Sequence, residues 1–235
     1  MYIFAHDKIL GMVRGLNLPE GSKVFDVGCA KGALSEQLSE LGYVVYGAEI
    51  DENSALEASR YCHKVFNIDI ERSNPPIEEK FFDAMLFADV LEHLRNPENV
   101  LRKYTNYLKD DGYVICSIPN VAKFSVRLRH LFGSRNYTKG GLLDETHLRF
   151  FTLKTARALV EDAGLKIVKM DMSSNISVPA KEVLIRSYKA SGVISKVICA
   201  IFKVWDCVSK LRPSLFANQL IFLCVKNAKS LCNNP

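Results

Sequence analysis

A short run near the N-terminus, Val24-Phe25-Asp26-Val27-Gly28-Cys29-Ala30-Lys31-Gly32, narrows the folds open to this chain. It reads as a buried strand, a sharp turn at Gly28 and a helix over 31–41. Glycine lacks a Cβ, so a ligand can approach the bare backbone of such a turn. The free N–H groups of the helix's first turn point at the same place. Alone, the run predicts a nucleotide-like ligand and does not say which one.

The rest of the chain repeats the theme. Apolar strands are expected at 23–27, 43–49, 64–68, 82–88 and 112–118, with helices at 31–41, 52–60 and 97–108 between most of them. Asp110-Asp111-Gly112 reads as the turn that ends one helix and starts the fifth strand. After a looser stretch, a helix at 153–163, a stop at Gly164 and a strand at 165–171 resume the alternation, and a last strand covers 219–225. Strand and helix in alternation imply a parallel sheet with helices on both faces. A single domain over 1–235 is expected, with an N-terminal helical cap at 1–20 and a lid at 119–151. A basic amphipathic helical insertion is expected at 173–217, before the last strand.

Composition excludes several classes. Hydrophobic content of 48% and charged content of 24% are those of an ordinary globular chain. No apolar run is long enough for a transmembrane helix, and the first residues do not read as a signal peptide. Seven cysteines, none in a C-x-x-C pair, read as reduced thiols of a cytoplasmic protein. The net charge of +5 is concentrated: residues 181–235 hold nine Lys or Arg against two acids. That pattern argues against a nucleic-acid binder. Within it, 192–210 reads as an amphipathic helix, with Val193, Val197, Ile201, Val204 and Val208 on one face and Lys196, Lys203 and Lys210 opposite. Such a helix either packs on the sheet edge or touches the inner membrane face as a peripheral contact. A monomer and a homodimer both stay open.

The strand ends sharpen the ligand. Asp26 lies at the end of the first strand, Glu49 ends the second, and Asp69 follows the third. A carboxylate at the second strand end can accept the hydroxyls of a ribose. One at the third can accept from an adenine amine. A dinucleotide fingerprint would fall on Gly28, Ala30 and Ala33, so two of its three glycines are missing. The middle one matters most, because a pyrophosphate must approach the backbone there. An acid at position 26 suits a ligand carrying an ammonium and a sulfonium, which favours S-adenosylmethionine.

These residues carry a resemblance to class I S-adenosylmethionine-dependent methyltransferases, within the small-molecule group that includes the ubiquinone-biosynthesis O-methyltransferases. It is similar there to bacterial members associated with cell-surface sugars. Its carriers are Val24 to Gly32, Val45 to Asp51, Phe82 to Leu94, Ser117 to Val121 and Thr146 to Phe151, and it covers roughly 20–172. The resemblance implies a Rossmann-like α/β fold of seven mostly parallel strands in the order 3-2-1-4-5-7-6, the last antiparallel. It implies that Gly28 and Gly32 pack on the methionine part, that Asp26 orients its amino group and that Glu49 holds the ribose. Ile50 would line the adenine pocket, Asp69 and the Ile70 backbone would read the adenine edge, and Ala88 and Asp89 would face the methionine end. Ala30 departs from the family's glycine.

The expected reaction is methyl transfer to an oxygen of a small acceptor, a sugar, sugar-linked lipid or phenol. His147 or His93 is the candidate base. Tyr137, Asp144 and Arg149 are candidate acceptor contacts, and His6 reads as a surface residue. No metal is expected, because acids and histidines lack ligand spacing on one element. An NAD-dependent oxidoreductase, disfavoured by Ala30, Ala33 and Asp69, and a non-catalytic S-adenosylmethionine-binding protein are the alternatives.

Overall fold

A computed structural model describes residues 3–133, 136–173 and 212–227, with side chains from Ala5 onward. The amphipathic segment expected at 192–210 lies outside the described residues. Among the described residues, no helix is long and apolar enough to cross a membrane.

Seven strands form one sheet: β1 (Lys23–Val27), β2 (Val44–Glu49), β3 (Lys64–Asn67), β4 (Phe82–Ala88), β5 (Leu108–Pro119), β6 (Leu165–Ser173) and β7 (Gln219–Lys226). Their order is β3-β2-β1-β4-β5-β7-β6, and β7 runs antiparallel to both β5 and β6. Strand order thus reverses between β1 and β4, which opens a crevice at the carboxyl ends there. The central strands are continuous apolar runs because they are covered on both sides.

Side chains alternate across the sheet and sort into two clusters. Phe25, Val27, Tyr46, Ala48, Met85 and Phe87 face one way, under α4 (Pro97–Tyr104) and α6 (Leu153–Asp162). Val24, Val45, Ala84, Leu86 and Ile115 face the other, under α1 (Ile3–Arg14) and α2 (Ala33–Glu40). Phe25 stacks on Phe82 with centroids 4.6 Å apart, and Tyr104 lies 6.0 Å beyond. Helix starts follow local chemistry. Asp51 caps α3 (Glu52–Ala58) by accepting the Ser54 N–H, and Thr152 and Thr155 form a reciprocal capping box on α6.

Three local expectations are corrected. Asp110-Asp111-Gly112 is not a turn but a bulge inside β5, which pairs Leu108 with Phe82 and then Tyr113 with Ala84. The helix expected to reach residue 108 stops at Tyr104, and one 3-10 turn, Thr105–Tyr107, hands the chain to β5. His6 is half-buried rather than on the surface, and burial pulls its pKa down.

The β1–α2 turn contains three residues at positive φ: Gly28 (77°), Ala30 (47°) and Gly32 (83°). For an alanine this conformation costs about 1–2 kcal/mol. Glycine would remove that strain but would add unfolded-chain entropy of about 0.4–1 kcal/mol. We expect Ala30→Gly to be neutral to stabilising, by up to about 1 kcal/mol, read as the urea midpoint. A clear loss of stability would mean that the turn is not held this way.

Candidate functional site

The turn is fixed from β2. Gly28 and Cys29 both donate their N–H to the Ala48 carbonyl, at 2.8 and 3.0 Å. A Cβ at Gly28 would sit 2.7 Å from Val90 Cγ2, and one at Gly32 would sit 2.9 Å from Ala58 Cα. Both glycines are therefore close approaches between chain segments as well as positive-φ residues.

Beneath the turn lies Asp26, 1% exposed, whose Oδ2 accepts the Ser35 hydroxyl at 2.7 Å. Burial pushes its pKa up to about 6; the Ser35 bond opposes this and the Glu49 charge adds to it. Glu49 sits beside the turn at the end of β2. Its Oε2 accepts the Ala30 N–H, and its Oε1 accepts the N–H groups of Ile50 and Asp51, all at 2.9 Å. Ile50 stands 67% exposed next to it. Asp69 accepts the Glu71 N–H at 2.9 Å and faces Arg72 at 3.3 Å, while Ile70 is buried.

A second group gathers past β4. Asp89, at φ 54°, donates its N–H to the Ser117 hydroxyl oxygen and accepts the Ser117 O–H in return. Burial raises its pKa to about 6, against hydrogen bonding from Ser117. The next residue is the Val90 that packs on Gly28, so this group adjoins the turn. Ala88, half-buried, ends β4 just before it.

Three residues on, Glu92 is 1% exposed. Its backbone carbonyl accepts the N–H groups of Leu148 and Arg149, both at 2.9 Å, and so pins the segment after β5 over the crevice. His93 Nδ1 meets the Thr146 carbonyl at 3.1 Å. His147 is buried, its Nε2 lies 3.9 Å from Glu92 Oε1, and its ring centroid lies 4.9 Å from that of His93. Burial raises the Glu92 pKa well above the usual carboxylate value, with the Asp89 charge adding to it. Burial lowers that of His147, helped by His93.

The expectation that no metal binds rested on spacing along one element, and the fold brings ligand atoms together across two. Glu92, His93 and His147 present ligand atoms within 4.8 Å of one another, although they come from two separate segments. Spacing along one element could not reveal this. Nor does Glu92 hold His93, as its sequence position suggests; its side chain faces His147.

The three candidate acceptor contacts are not brought together. Arg149 turns away, donating to the Arg95 carbonyl at 2.6 Å and lining a separate cavity of about 390 Å³ with Asn96 and Glu98. Asp144 closes a surface turn by accepting both the N–H and hydroxyl of Thr146. Tyr137 lines a cavity of about 560 Å³ with Val121, His130, Leu143 and Phe150. Phe150 also lies 6.3 Å from the His147 ring, which ties this cavity to the Glu92 group. Sequence reasoning did not single out Ser35, Glu92, Ser117 or Gln219. Ser117 and Gln219 were open to detection as polar residues bordering apolar strands, at strand ends.

Asp26 makes a pH-dependent contribution to stability. Its folded pKa lies above the ordinary 3.8, so its contribution is fully present below that value and is lost as pH rises through about 6. The penalty above that window is roughly 2–3 kcal/mol, at about 1.4 kcal/mol per pH unit. We expect Asp26→Asn to stabilise the ligand-free chain in urea unfolding near pH 8, with a much smaller gain near pH 4. An equal change at both pH values would refute the buried, protonated acid.

The fold has known counterparts. The family described as "Methyltransferase domain" matches residues 6–170. A ubiquinone biosynthesis O-methyltransferase of Glaesserella parasuis is 30% identical over 109 residues, covering 43% of this chain and 46% of that protein. Its counterpart in Ruegeria sp. is 31% identical over 155 residues, covering 63% of this chain and 62% of that one. The matches thus span less than two thirds of these relatives' own length. A SAM-dependent methyltransferase structure from Archaeoglobus fulgidus superposes with a TM-score of 0.63 at 19% identity, covering 96% of this chain and 97% of that one.

Proposed function

This chain belongs to the methyltransferase-domain family, and we propose that it uses S-adenosylmethionine to methylate an oxygen of a small acceptor, a phenol, sugar or sugar-linked lipid. One observation carries the acceptor half of this reading. Among the described residues, the buried side-chain polar atoms without a hydrogen-bond partner are Glu92 Oε2, His147 Nδ1 and both amide atoms of Gln219. Gln219 reaches the Asp89 carboxyl, whose charge acts on Glu92, and His147 faces Glu92, so the open atoms gather at one end of the sheet. Unpaired buried polar groups cost about 1–3 kcal/mol each, so their clustering suits a ligand that completes them.

The turn fits the cofactor. Buried Asp26 is poised to ionise beside an ammonium group, and such a neighbour favours its charged form. Glu49 presents a carboxylate at the second strand end, and exposed Ile50 offers an apolar platform for a base. When bound, the cofactor supplies an electrophilic methyl on a good leaving group. The protein's remaining work is to align the acceptor oxygen and to take its proton. Lowered basicity keeps His147 neutral near pH 7 and able to accept that proton, and the Glu92 carboxyl faces its Nε2 at 3.9 Å. His93, exposed and tied to Thr146, is the weaker candidate.

A second reading of the same group is favoured by its donor set. Two imidazoles and a carboxylate within 4.8 Å suit a divalent cation, which would lower the acceptor hydroxyl's pKa in place of a base.

Calorimetry should show S-adenosylhomocysteine binding and no NAD binding; the reverse would move the chain to the oxidoreductases. Screening methyl transfer to phenols, quinone precursors, sugars and nucleotide sugars should then yield an acceptor. Cofactor binding with no turnover on any of them would favour a binding protein. On that acceptor, His147→Ala should lower kcat about 10²–10⁴-fold with cofactor affinity kept. The wild-type rate should fall on the acid side, below the ordinary histidine value of 6.5. Loss of activity in EDTA and its return with Mn²⁺ or Zn²⁺ would decide for the cation; indifference to EDTA would retire it.

A further inference from the structure

We propose that Gln219 reads the acceptor, and that its side-chain amide recognises a neutral hydroxyl group there. The inference rests on the methyl-transfer reading above and assigns the group chemistry that the acceptor must present.

Gln219 opens β7, which runs antiparallel to both β5 and β6, so its first residue returns to the carboxyl ends of the parallel strands. There it pairs with Pro119 at the end of β5 and with Ser173 at the end of β6. The residues that follow, Leu220, Ile221 and Phe222, are fully buried and apolar. An apolar residue would continue that pattern. A glutamine stands there instead, 1% exposed, with neither Nε2 nor Oε1 hydrogen-bonded.

Nearby amides show what a structural role looks like. Asn120 donates to the carbonyls of Ala217 and Ser214, at 3.0 and 3.2 Å, and accepts the Ala122 N–H at 3.1 Å. Asn218 accepts the Lys123 ammonium. Both side chains tie the lid's root to the approach of β7. Gln219, the next residue, ties nothing. A loose hydrogen bond toward Asp89 favours the ionised carboxyl, but neither amide atom has a partner at full hydrogen-bond geometry.

The partner's chemistry follows from what is open. An amide offers donors at nitrogen and an acceptor at oxygen. A hydroxyl can satisfy both kinds of site, accepting from Nε2 and donating to Oε1 or to the adjacent Asp89. A carboxylate has no proton to give and would meet Asp89 and Glu92. An ammonium has no lone pair for Nε2, and an ether cannot donate. The geometry therefore selects alcohols and phenols over acids and already methylated oxygens. The last distinction matters for turnover, because a product ether would leave Oε1 unpaired and be held less tightly than the substrate hydroxyl.

The test uses fragments, since the full acceptor is unidentified. Phenol, anisole and benzoate are titrated by ligand-observed NMR against the full chain saturated with S-adenosylhomocysteine, with methyl glucoside and its fully O-methylated form as a second pair. We expect at least one hydroxyl fragment to bind about tenfold or more tightly than its ether, and benzoate not to bind. In Gln219→Leu the preference should fall to within about twofold, by loss of hydroxyl affinity, with S-adenosylhomocysteine affinity unchanged. Gln219→Met, unbranched and of similar length, repeats the measurement should the leucine variant fold poorly. Equal binding of hydroxyl and ether, no hydroxyl binding at all, or a preference that survives in a folded variant would each overturn the proposal. S-adenosylhomocysteine failing to bind the wild type would remove the methyl-transfer reading as well, whereas failure at Gln219 alone leaves that binding intact.

Discussion

The contact of Val90 with the bare backbone of Gly28 is the constraint on which the site depends. A side chain at residue 28 would need the space that Val90 Cγ2 fills, 2.7 Å from the Cβ position. Through this contact the β1 turn and the segment after β4 are held as one unit. Asp89, immediately before Val90, is locked in the left-handed region by its paired bonds to Ser117. Strain of this kind costs about 1–3 kcal/mol and persists only where the surroundings over-determine it. Val90 on one side and Ser117 on the other supply that determination. The β1 turn and the Glu92 group are thereby joined through one short segment, Ala88 to Glu92.

Much of this was legible in the residues, for identifiable reasons. β1, β2 and β4 are covered on both faces, so their apolar runs stand out without any need for alternation. Strand-end acids were readable because the fold class assigns a place to each strand end before any side chain is positioned. β5 was harder. Its bulge carries Asp110, Asp111 and Gly112 within the strand, and these residue types ordinarily mark a turn. The acceptor side was poorly legible because its residues meet only through tertiary structure. Glu92 sits in an ordinary-looking Glu-His dipeptide with His93, and only the return of Leu148 and Arg149 to its carbonyl brings His147 to its side chain. Arg149 misled for the opposite reason: a basic residue in a lid suggests a ligand, but here it closes on the Arg95 carbonyl.

Three carboxyl groups, buried Asp26, half-buried Asp89 and buried Glu92, lie along this one crevice, and desolvation raises the pKa of each. A serine hydroxyl partners each of the first two, Ser35 and Ser117, which keeps them satisfied without cancelling their charge. Glu92 has no such partner on Oε2. An interior arranged this way is unfavourable when empty at neutral pH, and a cation relieves it. That preference bears on the missing glycine of the turn. In a pyrophosphate site, backbone N–H groups at this point must be free for anionic oxygens. Here the Ala30 N–H is already given to Glu49 Oε2. The alanine methyl and the Glu49 carboxylate therefore act together, one by occupying space and the other by occupying the donor. With Asp26 beneath them, the turn repels the anion that a dinucleotide would bring and accepts a positively charged ligand in its place.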